Sequence, residues 1–431
     1  MLYENLSLSP AGQLVFSGYD TAALAQQYGT PLMVMDEMRI RNRCRTYKTA
    51  MEEFLPTGSR PLYASKALSI RQLYRIMAQE DMGIDVVSAG ELYTAFSAGF
   101  PMENVFFHGN AKTDRDIAFG MDHGLGWFVC DNETELAVID REAKSRNLRQ
   151  KILLRLTPGI DPHTHAKICT GQVDSKFGAA IETGQAEALV KAALSCKNID
   201  LQGYHCHIGS QIFEAEPFRD AAVLMLGFVA HIRDVLGFAA PVVNLGGGMA
   251  VPYTAADPEI CYRENIKAIG HIIRDLCEKF SLTPPVILME PGRSIVADSG
   301  ITVYSVVSTK EIPGFRNYVA VDGGMADNPR YTLYQSAYTI LNATHADKTP
   351  ETVCTVAGCC CESGDLLQEN VKLPATKKGD LLAVLTTGAY NYSMASNYNR
   401  LPRPPIVMIG AEGPYEAVRR ETYEDLLKCD M

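Results

Sequence analysis

Eight short apolar runs constrain the fold of this chain more than any other feature. Each is rich in β-branched and aromatic residues, and amphipathic stretches such as SIRQLYRIMAQE and GQAEALVKAALS lie between them. The runs are LYASKA (62–67), IDVVS (84–88), VFFHG (105–109), WFVCD (127–131), ILLRLT (152–157), LQGYHCHIG (201–209), VVNLGGG (242–248) and VILMEPGR (286–293). Eight strands alternating with helices predict an α/β fold of the (β/α)₈ barrel type.

The rhythm of the sequence changes after Asp298. The runs ITVYSVVSTKE, YVAVDGG, ETVCTVAG, DLLAVLTTGAY and PIVMIG follow one another without long helices between most of them. They predict a C-terminal, mainly antiparallel β domain of sandwich or barrel type. The strand-like PLMVMD near the N-terminus lies outside the eight runs and could join that domain. A chain of 431 residues also exceeds what one core usually supports. We therefore expect a barrel at 37–298 and a β domain made of 1–36 and 299–431.

Composition and charge exclude several classes of function. The net charge is −10, and no cluster of Lys and Arg offers a surface for nucleic acid. The N-terminal MLYENLSLSPAGQ does not read as a signal peptide, and no apolar run reaches the roughly 18 residues of a membrane span. We therefore expect a cytoplasmic protein that acts on small molecules. Its twelve cysteines should be free thiols, since no C-x-x-C pair recurs at zinc spacing.

Polar residues and glycines stand at the C-terminal ends of the predicted strands, where barrel enzymes keep their chemistry. They are Lys66, Ser88, His108, Asp131, His207, the glycines 246–248 and Glu290. Any one of them could belong to an ordinary turn. Their recurrence at successive strand ends favours a site at this end of the barrel.

A lysine, a glycine run and a carboxylate among these residues suit one cofactor. Lys66, if partly shielded from water, would have a lowered pKa and could attack a carbonyl to form a Schiff base. The glycines of NLGGG either cradle a phosphate with their backbone N–H groups or simply form a tight turn. Pyridoxal phosphate carries both an aldehyde and a phosphate. Glu290 could then keep the pyridine nitrogen protonated.

The pair His205 and His207 raises a rival hypothesis, a metal-dependent hydrolase. Alternate residues of a strand face the same side, so both imidazoles could bind one ion. His108, Glu91 and Asp131 could supply further ligands, but Lys66 and the glycine run would then have no role. A histidine ring lying against a flat cofactor, or packed in the core, is an equally good interpretation. We therefore predict no metal.

Ten motifs in order give the chain a family resemblance. They are YASKAL, DVVSAGEL, HGNAK, SKFG, GYHCHIGSQ, NLGGG, EPGRSIVADSG, VDGGMADNPRYTLY, CESGD and GAYNYSMASNYN. From about residue 30 to 410 the chain resembles the pyridoxal-phosphate enzymes of the alanine-racemase-like fold, which include the ornithine and arginine decarboxylases. It is most similar to the diaminopimelate decarboxylases. The sequence departs from their pattern at Cys359 and Cys360, and in DNPRYTLY, where a proline often follows the arginine.

The resemblance implies a role for each matched residue. Lys66 would hold the cofactor covalently, His207 would stack on its ring, and Glu290 would pair with the pyridine nitrogen. Phosphate contacts are implied for Ser210, Gly247 and Gly248, and for Gly292 and Arg293 of the EPGR segment. Substrate contacts are implied for Arg293, Arg330 and Tyr334, for Glu362 at the distal amino group, and for Tyr390, which also lies near the cofactor. Cys361 would be the acid that returns a proton to the product carbon, leaving Cys359 and Cys360 as packing residues of a strand and its turn.

The resemblance also implies an assembly and a reaction. The loop that bears Cys361 would cross into the partner subunit's active site, so we expect a homodimer with composite sites. The expected reaction is decarboxylation of meso-2,6-diaminopimelate to L-lysine and CO2, the last step of lysine biosynthesis. Ornithine, lysine or arginine stay open as substrates, because the arginine of EPGR could serve the phosphate instead. A catalytically silent homologue would be expected to lack Lys66 or Cys361, and this chain has both.

Overall fold

The structure is a computed structural model that describes residues 2–160 and 175–431. The chain divides into two compact units. The barrel unit comprises Arg41–Ala250 and Glu259–Ile295, and the β unit comprises Met1–Ile40, Val251–Pro258 and Val296–Met431. In the described ranges we find no helix that is both long and apolar enough to cross a lipid bilayer.

The N-terminal segment begins with a small antiparallel sheet. Its elements are β1 (Leu6–Leu8), β2 (Leu14–Phe16), β3 (Tyr19–Asp20), α1 (Thr21–Tyr28), β4 (Leu32–Asp36) and α2 (Glu37–Phe54). Asp20 caps α1, because its carboxylate accepts a 2.7 Å hydrogen bond from the Ala22 N–H. The strand β4 is buried along its whole length and corresponds to the predicted PLMVMD strand.

The barrel confirms all eight predicted strands. Its elements are β5 (Arg60–Ala64), α3 (Arg71–Gln79), β6 (Gly83–Val86), α4 (Ala89–Ser97), β7 (Val105–Phe107), α5 (Asp114–Asp122), β8 (Trp127–Cys130), α6 (Glu133–Ser145), β9 (Gln150–Thr157), β10 (Ala179–Ala180), α7 (Gln185–Ser195), β11 (Ile199–His205), α8 (Glu216–Leu236), β12 (Val242–Asn244), α9 (Tyr262–Lys279), β13 (Val286–Met289) and α10 (Arg293–Val296). All strand pairings are parallel, and β13 pairs back to β5, which closes the barrel. The two-residue β10 adds to β9 outside this circle.

Apolar side chains from six of the barrel strands fill its interior. They are Leu62, Phe106, Val129, Leu153, Val242 and Leu288, all buried. The barrel is therefore a packed core and not a pore. Its polar residues are left to the C-terminal ends of the strands.

The β unit is built around one long strand. Its elements are β14 (Gly300–Ile312), β15 (Arg316–Val321), α11 (Arg330–Tyr334), β16 (Ile340–Asn342), β17 (Thr352–Ala357), β18 (Leu366–Leu373), β19 (Leu381–Leu385), β20 (Ile406–Gly410), β21 (Gly413–Val418) and α12 (Tyr423–Leu427). Strand β14 pairs antiparallel with β4, β15 and β19. The β15–β17 and β4–β20 pairs are parallel, so the sheet is mainly but not wholly antiparallel. Through β4 the N-terminal segment joins this sheet, as predicted, whereas β16, β18 and β21 were not predicted.

Glycine at position 203 is required by the barrel backbone. Gly203 lies in β11 beside a register shift, with φ of 148°. A Cβ atom there would lie 1.9 Å from the Val242 carbonyl oxygen of the neighbouring strand. We expect Gly203→Ala to lower the free energy of unfolding by at least about 2 kcal/mol, because backbone on both sides would have to move.

Urea denaturation followed by circular dichroism measures this loss. Gly227→Ala is the matched control, since Gly227 lies inside α8 and its added methyl group meets no atom within 4 Å. That variant should gain about 0.5–1 kcal/mol from the higher helix propensity of alanine. Equal stability of the two variants would contradict the prediction.

Candidate active site

Lys66 stands at the open end of the barrel. Strand β5 ends at Ala64, and a single helical turn, Ser65–Ala67, carries the lysine. Its neighbours Ser65 and Ala67 are buried, but Lys66 itself is exposed, so the predicted shielding from water is wrong for the single chain. The positive charge of Lys66 nevertheless acts on the pKa values of Asp85, Glu91 and His207, which places these groups around it.

His207 presents an uncharged imidazole ring. It lies two residues beyond the end of β11, and its Nδ1 atom accepts a 3.3 Å hydrogen bond from the Gly247 N–H. Burial lowers its pKa well below the ordinary value, and the charge of Lys66 lowers it further. The imidazole is therefore uncharged at neutral pH.

The three glycines of NLGGG are required by the approach of neighbouring backbone. A Cβ atom would lie 2.4 Å from the Cys206 carbonyl oxygen at Gly246, 2.0 Å from that of Glu290 at Gly247, and 2.4 Å from that of Gly209 at Gly248. Packing alone therefore accounts for the glycine run. The tight turn that the sequence left as an alternative is not what requires these glycines, and a phosphate contact would be an additional use of the same backbone.

Arg293 and Ser210 contact each other near the glycine run, where Gly209 packs against Gly248. The guanidinium Nη2 of Arg293 donates a 3.0 Å hydrogen bond to the Ser210 hydroxyl, and Arg293 is buried. Gly292 precedes it, and a Cβ atom there would lie 2.8 Å from the Cβ of Ala64. A buried arginine, a hydroxyl and glycine backbone form a donor set that suits a phosphate group.

Glu290 is the centre of a buried hydrogen-bond network. Its Oε1 lies 3.0 Å from His108 Nε2 and accepts a 2.7 Å hydrogen bond from the Asn244 amide, while Oε2 lies 3.2 Å from His205 Nε2. Burial alone would raise the pKa of Glu290, but the two histidines outweigh it and hold the pKa well below the ordinary value. Burial also lowers the pKa of His108, and that of His205 to about 4. An ionised carboxylate therefore faces two neutral imidazoles.

Asp85 differs from Glu290 in its charge state, since it is protonated and neutral. Burial raises its pKa well above the ordinary value, and the negative charge of Glu290 raises it further. Its Oδ1 atom and the Ser65 hydroxyl are buried and find no hydrogen-bond partner in the described part of the chain. A polar ligand bound beside Lys66 would satisfy such atoms, which fits pyridoxal phosphate.

The residues predicted for a metal site are only partly brought together. Among the described residues, His108, His205 and Glu290 offer ligand atoms within 4.8 Å of one another. Glu91 and Asp131 instead accept hydrogen bonds from the backbone, from Val87 N at 2.8 Å and Gly178 N at 3.0 Å. His207 lies outside this group, so the two histidines of the predicted pair have separate partners. The rival hypothesis, in which both imidazoles bind one ion, is therefore not supported, since β11 ends at His205 and His207 lies beyond it.

Asn244 and Asp85 were not predicted as site residues. Asn244 is fully buried. Its side-chain Nδ2 donates a hydrogen bond to Glu290, and its side-chain Oδ1 accepts a 2.9 Å hydrogen bond from Gly246 N. Asp85 lies inside β6 and Asn244 is the last residue of β12, and each interrupts an apolar run of the sequence. That interruption of an apolar run was a signal that could have identified them.

In the β unit three of the predicted substrate residues, Arg330, Tyr334 and Tyr390, form one group. Arg330 begins α11 and is buried, with its guanidinium carbon 5.1 Å from the centre of the Tyr334 ring and 5.5 Å from that of Tyr390. Tyr390 has a left-handed backbone, with φ of 62°. Two aromatic faces around a guanidinium hold it in place for bidentate binding of a carboxylate.

The three adjacent cysteines lie in the turn between β17 and β18. Cys360 is buried, and burial raises its pKa to about 12, whereas Cys359 and Cys361 are exposed. Glu362 is also exposed. The interpretation of Cys360 as a packing residue agrees with its burial, but the same interpretation of Cys359 is wrong. It is exposed because β17 already ends at Ala357.

Comparisons with known proteins agree with this chemistry. Residues 37–297 match the family model described as the pyridoxal binding domain of pyridoxal-dependent decarboxylases. The chain is 44% identical to a diaminopimelate decarboxylase of Bacillus subtilis, over 97% of this chain and 95% of that relative. A diaminopimelate decarboxylase of Staphylococcus aureus is 39% identical over 97% of this chain and 98% of its own.

Solved structures are similar as well. The diaminopimelate decarboxylase of M. jannaschii in complex with L-lysine superposes with a TM-score of 0.90 and 34% identity, covering 99% of this chain and 98% of its own. A lysine/ornithine decarboxylase of Vibrio vulnificus complexed with putrescine reaches a TM-score of 0.74 at 25% identity, over 90% of this chain and 97% of its own.

The neutral state of His205 makes stability depend on pH. The folded protein keeps this imidazole unprotonated down to about pH 4, whereas an unfolded chain binds the proton near pH 6.5. Because the unfolded state then holds more protons, the free energy of unfolding should fall as the pH drops from about 6.5 to 4. The contribution of His205 is of the order of 3 kcal/mol. His205→Asn should be less stable at pH 7.5 but should lose less stability on acidification.

Urea midpoints at pH 7.5 and pH 5 test this expectation. His271→Asn, which removes an exposed imidazole from α9, controls for the loss of a titratable group. An unchanged acid loss in His205→Asn would show that this residue does not contribute to it.

Proposed function

This chain belongs to the pyridoxal-dependent decarboxylases and, within them, to the diaminopimelate decarboxylases, and we propose that it converts meso-2,6-diaminopimelate to L-lysine and CO2. The observation that carries this proposal is the 44% identity to a diaminopimelate decarboxylase over 97% of the chain. The enzyme is thus a lyase of lysine biosynthesis. A metal-dependent hydrolase is not supported, and the lysine/ornithine decarboxylase is a more distant relative at 25% identity.

Pyridoxal phosphate is the cofactor, and the residues at the end of the barrel fit it. When bound, it supplies an aldehyde carbon for amines and a ring that takes up the electron pair left by departing CO2. We propose that residues 37–298 form its binding domain and that Lys66 holds it covalently. Ser210, Gly247, Gly248, Gly292 and Arg293 would bind the phosphate.

Two neighbours of Lys66 would act on the cofactor ring. His207 would lie against the face of the cofactor ring. Because its imidazole is neutral, it would not repel a ring that is protonated at its nitrogen. Glu290 would hold a proton on the ring nitrogen, since this carboxylate is ionised and kept in position by His108, His205 and Asn244. Asp85, kept protonated, adds no second negative charge beside it.

Recognition of the substrate would fall to arginine, tyrosine and a carboxylate. Diaminopimelate differs from ornithine, lysine and arginine by a second carboxylate, for which a guanidinium is the natural partner. Arg330, buried against Tyr334 and Tyr390, is suited to that task, and Arg293 is a second candidate. Glu362 would bind the distal amino group.

Cys361 would finish the reaction as a proton donor. A proton would pass from its Sγ to the carbon that has lost CO2, and the resulting thiolate would regain a proton from water. Both Cys361 and Glu362 are exposed in the single chain. Since such a transfer works best where water is excluded, we propose a homodimer in which these residues serve the partner subunit's site.

We propose that the protein is cytoplasmic, on the basis of its cysteines. The eleven cysteines in the described residues are all free, as in the reducing cytoplasm. No binding to nucleic acid or membrane is proposed for a chain of net charge −10.

A substrate panel tests the activity. The purified protein is incubated with meso-diaminopimelate, lysine, ornithine and arginine, and both CO2 and the amine products are measured. We expect turnover of diaminopimelate alone and a rate lower by about 10³-fold or more in Lys66→Ala, which would also lose the cofactor's absorbance band near the visible edge. Turnover of ornithine or lysine without diaminopimelate would overturn the proposal.

Substitutions in the cysteine triplet test the proton donor and the dimer together. Cys361→Ser should slow product formation by about 10²-fold or more, while Cys359→Ser and Cys360→Ser retain most activity. Equal losses in all three would contradict the assignment. Mixing inactive Lys66→Ala and Cys361→Ala subunits should restore about a quarter of the wild-type rate, since half of the dimers are hybrids with one intact site. No recovery in subunits shown to exchange would exclude a shared site.

A further inference from the structure

The segment Ser396–Arg400 has an unusual backbone that the proposed function does not explain. Two consecutive residues other than glycine adopt left-handed conformations, Asn399 with φ of 52° and Arg400 with φ of 59°. Such a conformation is disfavoured for residues that carry a Cβ atom, although asparagine tolerates it better than most. Backbone strain of this kind persists where surrounding contacts enforce it, and it often marks a functional position.

The side chain of Asn399 reaches the cysteine triplet. Each backbone N–H of the triplet donates a hydrogen bond: Cys359 to the Gly323 carbonyl at 2.9 Å, Cys360 to Asp365 Oδ2 at 2.7 Å, and Cys361 to Asn399 Oδ1 at 2.7 Å. Of the first two acceptors, Gly323 lies just after β15 and Asp365 just before β18. Only the third comes from the strained segment, and it holds the residue that carries the proposed acid.

Anchors on both sides keep Asn399 in place. Ser396 N donates to the Ala326 carbonyl at 2.8 Å, and Asn397 donates to Glu421 Oε2 at 2.6 Å. Arg400 donates to the Leu426 carbonyl at 2.8 Å and to Asp430 at 2.9 Å. The segment is therefore held independently of the cysteine turn, and the left-handed turn at Asn399 directs its amide oxygen toward Cys361.

The turn needs such support because Cys361, Glu362 and Asn399 are all exposed in the single chain. The direction of the Cα–Cβ bond of Cys361, and hence the region its thiol can reach, depends on the backbone of this turn. Proton transfer to carbon needs a donor held close to its target, and a misplacement of about 1 Å can cost two orders of magnitude in rate.

We propose that Asn399 is a positioning residue for the proton donor, holding the Cys361 backbone so that its thiol meets the carbon that loses CO2. This inference rests on the proposed function of Cys361. Asn399 does not touch the reacting atoms and acts only through the main chain of Cys361.

Three variants separate the contributions of Asn399. Asn399→Gly removes the acceptor oxygen but accepts the left-handed backbone, and Asn399→Asp keeps an acceptor. Asn147→Gly is the matched control, because it makes the same substitution at another left-handed asparagine, with φ of 53°, two residues beyond the end of α6. Steady-state rates are measured with meso-diaminopimelate in H2O and D2O on the assembled, cofactor-loaded enzyme. The stereospecificity of deuterium incorporation at the product carbon is measured by NMR.

We expect kcat to fall about tenfold in Asn399→Gly, as for the loss of one hydrogen bond of about 1.4 kcal/mol, with KM nearly unchanged. The solvent isotope effect should rise and the stereospecificity should fall, because proton delivery becomes slower and less well directed. Asn399→Asp should stay within about threefold of the wild type, and Asn147→Gly should keep the wild-type kcat and isotope effect.

Three results would overturn the inference. The first is an unchanged kcat and isotope effect in Asn399→Gly while Cys361→Ser is impaired. This result would keep Cys361 as the proton donor and refute only the positioning role of Asn399. The second is full product formation by Cys361→Ser, which refutes the acid and the inference together. A drop in kcat with no change in isotope effect or stereospecificity would assign Asn399 a purely structural role and also overturn it.

Discussion

Closure of the barrel through the pairing of β13 with β5 is the constraint on which the site depends. The pairing sets Leu288 opposite Arg60 and Met289 opposite Pro61, and it continues past the strand ends in a 3.1 Å hydrogen bond from Ala64 N to the Pro291 carbonyl. The segments that follow these two strands carry Lys66 and Glu290. Residues far apart in sequence thus become neighbours because a sheet without edges must join its first strand to its last.

Burial at this end of the barrel gives the two carboxyl groups of Glu290 and Asp85 different protonation states. Glu290 keeps its negative charge because imidazole and amide groups surround it. Asp85 is protonated, because burial and the negative charge of Glu290 both raise its pKa. Two carboxyl groups whose environments drive their pKa values apart can take different tasks in one site. One serves as a fixed anion for a ring nitrogen, and the other remains a neutral hydrogen-bonding group.

The parts of the structure that sequence predicted are those with a local signal. Apolar runs predict the eight barrel strands, and composition predicts β4. The pairing of β4 with β14 and β20 could not be inferred from the sequence. Residues whose role depends on distant partners were missed: Asn244 beneath Glu290, Asp85 near Lys66, and Asp365 under the cysteine turn. Glu91 and Asp131 show the reverse case: they could have been metal ligands by type and position, but their carboxylates accept hydrogen bonds from the backbone N–H groups of Val87 and Gly178. The exposure of Lys66 depends on the direction of a single turn, which composition does not reveal.

The glycine run bears on how such sequences are interpreted. Each of the three glycines faces a backbone carbonyl at a distance that no side chain could share, whether or not a phosphate is bound. A descendant of this enzyme that had lost its chemistry would therefore still need NLGGG in order to fold. The motif is a marker of ancestry and architecture. Evidence that such a relative remains active must come from residues that the fold could spare, among which Lys66 and Cys361, both exposed, are the most informative.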